Sequence, residues 1–367
     1  MISDQNCTVC VMDTTANDIS FDSNGQCNYC KNFQKKLNDL NQKRQNLVSF
    51  VEKIKIGGRN KNYDCIIGLS GGVDSCYALH KAIEIGLKPL VVHMDNGWNS
   101  ELAQSNIENL VKKLNVDLFT YVIDWSEYKN MMESFFSADV IDIELLMDNA
   151  MLGINYQQAS KNNIKYILAG TNTTSEGMAM PSNMNWFKYD KKNIINIIKI
   201  FGDNKINTYP IIGTLDLIKN ILLKKIRWIS FLDYFDYNKF EAIEVLKNKY
   251  QFKPYPYKHY ESVFTRFYQG YILPTKFGVD KRKLHYSTLI ISKQMDRESA
   301  LKELHSKHAY PSDEMMENDK EYFLKKMNWS KEKLNNYLKR PEKSHLSYLS
   351  EKKFYDFSLK IFNILKF

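Results

Sequence analysis

The stretch IIGLSGGVDS, residues 66–75, constrains this chain more than any other. An apolar run reads as a buried strand and the glycine pair as a tight junction. SCYALHKAIEIG then reads as a helix stopped by Gly86. Glycines at a strand-to-helix junction let backbone N–H groups face outward at the positive end of the helix, where phosphate binds. YDCIIGL, KPLVVHMDNG, VDLFTYVID and KYILAGTN read as four strands separated by helical text. This alternation predicts an α/β fold, a doubly wound and mostly parallel sheet with its site at the strands' C-terminal edge.

A second constraint lies upstream. Cys7, Cys10, Cys27 and Cys30 form two CxxC knuckles, with an Asn-Gly turn just before the second. Four thiolates from two turns fit tetrahedral Zn²⁺ in a structural site, because four protein ligands leave no open coordination position. The expected organisation is a four-cysteine zinc ribbon over 1–33, a helical linker over 34–62 and the strand–helix domain over 63–190. A helical, aromatic- and Lys-rich region over 191–367 completes it. Within that last region LDLIKNILLKKIRWISFLDYF reads as a packed helix.

Composition narrows the partners. The 367 residues carry a net charge of +9, but the lysines are dispersed among Asn and Ile. Runs such as LLKKIRW read as solvated helix faces, so no nucleic-acid partner is expected. No apolar run approaches the ~18–20 residues that span a bilayer. The first residues lack the basic-then-apolar order of a signal peptide, so a cytoplasmic location is expected and no membrane partner.

The SGGVDS element is not a Walker loop, since no Gly-Lys-Ser/Thr follows. It resembles the PP-loop of the N-type ATP pyrophosphatases, which holds the pyrophosphate that leaves ATP when AMP is transferred. That resemblance implies ATP and Mg²⁺, with Ser70, Gly71, Gly72, Asp74 and Ser75 lining the phosphate site. It brings His93, Met94 and Asp95 at the end of the second strand to the nucleotide, although His93 alone also fits a satisfied core histidine. In AGTNTTSEG, Gly170 and Thr171 would let AMP approach the backbone. Asn172, Thr173 and Glu176 would face the reacting group.

Residues 258–290 are dense in polar groups that an ordinary core does not need. Lys258, His259, Glu261 and Arg266 are read as substrate contacts; Lys276 and Arg282 are read as catalytic cations with Ser70, Asp74, Ser75 and Glu176. CTVCVMDTTANDISFDSNGQCNYC before the loop and HYESVFTRFYQGYILPTKFGVDKRK after it resemble the N-acetyl sugar amidotransferase family. The resemblance spans about 5–310. It implies an ATP-dependent, AMP-forming conversion of a sugar acetamido group to an acetamidino group, in O-antigen or pseudaminic- and legionaminic-type acid synthesis. The substrate would be a small sugar, free or nucleotide-linked, and a separate glutaminase would supply ammonia. The rival readings are a tRNA-thiolating PP-loop enzyme, which needs a catalytic cysteine, and a nucleotide-sensing scaffold.

Overall fold

A computed structural model of the chain describes residues 5–203, 205–305 and 310–364. Five parallel strands form one sheet: β1 (Cys65–Gly68), β2 (Pro89–Asp95), β3 (Leu118–Val122), β4 (Tyr166–Ala169) and β5 (Arg227–Ser230). Their spatial order is β3-β2-β1-β4-β5. The chain therefore builds outward from β1 in one direction and returns past it to β4 in the other. The switch point, where ligands bind in open α/β sheets, lies between β1 and β4.

Both faces of the sheet are covered, so its central strands are continuous apolar runs. Side chains alternate across β1. Cys65 and Ile67 pack with Val51, Leu79 and Leu246, from helices on one face, whereas Ile66 packs with Ile154 and Ile167 on the other. The first face carries the Val73–Glu84 and Lys239–Tyr250 helices, and the second carries Leu145–Lys161. This is the doubly wound architecture expected from the alternating pattern.

One element departs from the sequence reading. Arg227–Ser230, read as part of a helix, pairs with β4 as the fifth strand. Its text, KKIRWIS, holds too few residues to show a strand period, and pairing with β4 overrides the helical neighbourhood. The sheet thus extends beyond residue 190.

A large aromatic core joins the remaining parts. Phe135, Phe136, Phe264, Phe267, Phe323 and Tyr337 are buried together with the four N-terminal cysteines and Phe33. The ribbon and the C-terminal helices therefore share one interior. The contact is also polar: Val11 N–H donates to Ser287 Oγ at 3.2 Å, and Arg297 donates to the carbonyls of Cys10 and Cys7 at 3.0 and 3.1 Å. Lys283 pairs with Asp13. No helix among the described residues is long and apolar enough to cross a membrane.

Candidate active site

The junction after β1 is built for close backbone approach. Gly71 has φ +84°, and a Cβ there would also meet the Ala103 carbonyl oxygen at 2.8 Å. Gly72 opens the Val73–Glu84 helix without any side-chain cap, which leaves the first-turn N–H groups to a ligand. The two loop hydroxyls face each other, Ser70 Oγ to Ser75 Oγ at 3.1 Å, and Gly72 N–H donates to Ser70 Oγ at 3.2 Å. Asp74 accepts from the Tyr237 hydroxyl. Burial pushes the Asp74 carboxyl up, against the pull of Lys258.

The ends of β2 and β4 flank this loop. His93 Nδ1 donates to the Leu69 carbonyl at 2.8 Å while its Nε2 accepts from Asn99 Nδ2 at 3.1 Å. Burial holds its pKa down, so the ring is neutral and ties β2 to the loop. Gly170 lies directly under the loop's helix: a Cβ there would meet Ser75 N at 2.6 Å. Thr171 Oγ1 contacts Ser230 Oγ at 3.2 Å, across β4 and β5.

A segment from the C-terminal region lies across the loop. Ser100 N–H donates to the Glu261 carbonyl and Val263 N–H to the Trp98 carbonyl, each at 2.8 Å, so residues 261–263 are strapped to the β2 exit. Glu261 Oε1 comes to 3.1 Å from where a Gly72 Cβ would stand. Lys258 pairs with Glu176 at 2.5 Å; burial pushes the Glu176 carboxyl up, but Lys258 outweighs it and the net direction is down. His259 sits at φ +65°, a strained position for a non-glycine residue of the kind that clusters at functional sites. Its ring lies 5.5 Å from that of His285. Burial first, then Lys258, holds His285 well below the usual histidine range.

These elements enclose a cavity of about 530 Å³. One end is apolar, with Val92, Met94, Met151, Ile154, Ile167 and Trp228. The loop end holds Ser70, Gly72, Asp74, Ser75, Glu176 and Lys258. Further along, Gln269 and Lys281 both donate to Glu144, at 2.9 and 3.0 Å. A π-turn at Tyr268–Ile272 carries Gln269, and such turns recur at functional sites.

Several residues nominated from the sequence do other work. Asp95 does not line the cavity; it accepts from Gly97 N–H at 2.9 Å and shapes the turn. Asn172 caps the Thr173–Glu176 turn through Ser175 N–H, and Thr173 donates twice to Asp233, at 2.6 and 2.9 Å. Neither reaches the cavity wall. Lys276 is directed to the Tyr337 and Arg340 carbonyls and to Asp139, and it lines neither cavity. Arg266 forks onto Asp319 and Arg282 onto Asp280; both line a smaller adjoining cavity of about 250 Å³. Proximity in sequence misleads here because successive helical side chains point about 100° apart. Each of these cations turns to a carboxylate. Residues that the sequence did not single out are Lys239, Tyr237, Glu144, Gln269 and Trp228. Of these, Gln269 lies within the HYESVFTRFYQGYILPTKFGVDKRK stretch, and Lys239 follows the Asn238 cap.

The four N-terminal cysteines converge. Sγ atoms of Cys7 and Cys30, and of Cys10 and Cys27, lie 3.8 Å apart, and those of Cys27 and Cys30 lie 3.6 Å apart. Thiolates at ~2.3 Å from a tetrahedral Zn²⁺ stand about 3.8 Å from one another, so the set fits the ion. Without a cation the thiols cannot all ionise: the hydrogen bond from Cys10 pulls Cys27 down, and Cys10 pushes Cys30 up.

The comparison that bears on identity concerns the strap and the chain beyond it. Residues 261–363 match the family model of the LPS biosynthesis protein WbpG-like, C-terminal domain. The match begins at Glu261, the residue laid over Gly72, and continues through the helices that hold Gln269, Lys281 and His285. The WbpG-like part of the chain thus supplies one wall of the cavity. No curated protein matches the chain. Among solved structures, NMN synthetase from Francisella tularensis is similar at 17% identity and TM-score 0.28, over 63% of this chain and 99% of that one. The NH3-dependent NAD synthetase from Campylobacter jejuni, in complex with nitrate, is similar at 15% identity and TM-score 0.28, over 60% and 93%. The fold is defined by the parallel strand order β3-β2-β1-β4-β5 and the loop after β1.

Proposed function

We propose that this protein is an ATP-dependent, AMP-forming amidotransferase that converts the acetamido group of a sugar into an acetamidino group, in the synthesis of a bacterial surface polysaccharide or a related glycan. The observation that carries the reading is one cavity shared by the SGGVDS loop and the WbpG-like strap. A phosphate-gripping loop and the segment shared with lipopolysaccharide biosynthesis proteins would then work on the same substrate.

The chemistry follows from the inertness of the amide. Resonance makes an acetamide carbonyl a poor electrophile. The amide oxygen attacks the α-phosphorus of ATP, the bond from that phosphorus to the bridging oxygen breaks, and pyrophosphate departs. Ammonia adds to the carbon of the O-adenylated imidate, and AMP leaves with the original oxygen, giving the amidine. The chain's contribution is positioning and charge neutralisation. Ser70, Ser75 and the open N–H groups after Gly72 grip phosphate oxygens. The apolar end beside Met94 and Met151 receives the adenosine, and the polar wall at Gln269, Glu144 and Lys281 receives the sugar. Mg²⁺, when bound, would neutralise phosphate charge, and Asp74, Glu176 and Glu261 are the carboxylates at the loop end of the cavity that would hold it.

tRNA thiolation is disfavoured by the two remaining cysteines. Cys65 and Cys76 are both buried, and burial pushes both thiols up, away from the reactive thiolate. The same burial leaves no glutaminase nucleophile among the described cysteines, so a separate glutaminase supplies ammonia from glutamine. The test is to incubate the protein with ATP and a panel of N-acetyl sugars, using ammonium or glutamine, and to weigh the products. The expected product is about one dalton lighter than the sugar and cationic, formed with ammonium alone and with glutamine only when a glutaminase is added. ATP turnover without any sugar product across free and nucleotide-linked acetamido sugars refutes the reading.

A further inference from the structure

Six lysines and arginines line the loop cavity or its smaller neighbour: Lys188, Lys239, Lys258, Arg266, Lys281 and Arg282. Five of them are already neutralised. Lys188 lies 2.6 Å from Asp142, Lys258 2.5 Å from Glu176, Arg266 2.5 Å from Asp319, Lys281 3.0 Å from Glu144 and Arg282 2.7 Å from Asp280. Among the described residues Lys239 alone of the six has no carboxylate within ion-pair distance. It shares the cavity wall with Ser70, Gly72, Asp74 and Ser75. Its backbone is fixed as the first residue of the Lys239–Tyr250 helix, where Asn238 caps the turn and Lys239 N–H donates to Gln294 Oε1 at 2.9 Å.

Partly burying a cation without a paired counterion is costly, and a nearby Lys258 adds repulsion that Asp74, Glu261 and Glu176 offset only in part. Burial, and then Lys258, accordingly push the Lys239 ammonium pKa down. An arriving anion offsets both penalties. The neutralised residues gain less from the same anion, because each must share it with a carboxylate.

We propose that Lys239 is the cation that holds the departing pyrophosphate, donating to a β- or γ-phosphate oxygen opposite the Ser70–Ser75 loop. This rests on the proposed use of ATP and goes beyond it by naming the contact. Lys258, bound to Glu176, then serves to hold that carboxylate in place.

The test uses the full chain and two ligands, inorganic pyrophosphate with Mg²⁺ and AMP, by titration calorimetry. In Lys239→Met, pyrophosphate affinity should fall about tenfold to a hundredfold, the worth of one hydrogen bond to a charged group. AMP affinity should stay within twofold, and Lys239→Arg should recover most of the loss. Equal pyrophosphate affinity in Lys239→Met and wild type overturns the assignment, as does a parallel loss of AMP. Should the variant not fold, lysine acetylation of the wild-type chain read by mass spectrometry replaces it. Pyrophosphate must protect Lys239 while AMP does not, and unprotected labelling overturns the proposal. A wild type that binds pyrophosphate through Lys239 yet amidinates no sugar refutes the proposed function and leaves this contact standing.

Discussion

Gly170→Ala is the sharpest perturbation of the loop that leaves its own residues untouched. A Cβ at Gly170 would meet Ser75 N at 2.6 Å, the Asp74 carbonyl carbon at 2.7 Å and Ser75 Cα at 2.8 Å. All three are backbone, so no side chain can swing aside. Ordinary contact begins at 3.4 Å, which makes the required separation of β4 and the loop's helix about 0.8 Å. Overpacking of this kind costs about 1–3 kcal/mol. The displaced element is the phosphate cradle itself, and a misplacement near 1 Å costs on the order of a hundredfold in rate. Urea unfolding should therefore show a loss of about 1–3 kcal/mol, while AMP formation from ATP falls by about a hundredfold. Gly57→Ala is the control, because its Cβ would meet only Tyr166 Cε2, at 3.7 Å. That change should leave both measurements near wild type. Gly170→Ala with unchanged unfolding and a rate within threefold of wild type would refute the packing argument.

Two further expectations concern metal and pH. Metal analysis should find one Zn²⁺ per chain; removing it should raise hydrogen exchange in 5–33 and also in the Lys281–Ile291 helix, which is anchored through Ser287 and Lys283. Freely titratable thiols in a zinc-free, fully protected protein would contradict this. His345 is buried, donates through Nδ1 to Asn193 Oδ1, and has its pKa pushed down by burial from 6.5 to about 4. The unfolded chain takes up that proton near pH 6.5 and the folded chain resists it. Stability is thus full above pH 6.5 and falls by about 3 kcal/mol as pH drops toward 4. Urea midpoints across that window should flatten in His345→Asn, and an unchanged slope would assign the effect to other groups.

The sequence by itself determined the parts whose physics is local. A glycine pair between a four-residue apolar run and an amphipathic helix has few backbone solutions, and the chain adopts one that opens the helix N-terminus. The CxxC spacing brought two knuckles within reach of each other because each is a single tight turn. The alternation of strand and helix required a parallel sheet, since no shorter connection returns a strand in the same direction. Tertiary structure decided what depends on contacts far apart in the chain. Arg227–Ser230 became a strand because β4 offered a free edge, a fact absent from its own composition. Lys276 and Arg266 turned to Asp139 and Asp319, carboxylates far from them in the chain that the fold brought within ion-pair distance. Lys239 entered it because a helix start some 165 positions after Asp74 was folded against the same wall. Charge pairing is settled by distances of a few ångströms in space, and spacing along the chain carries that information only within one turn or one ribbon.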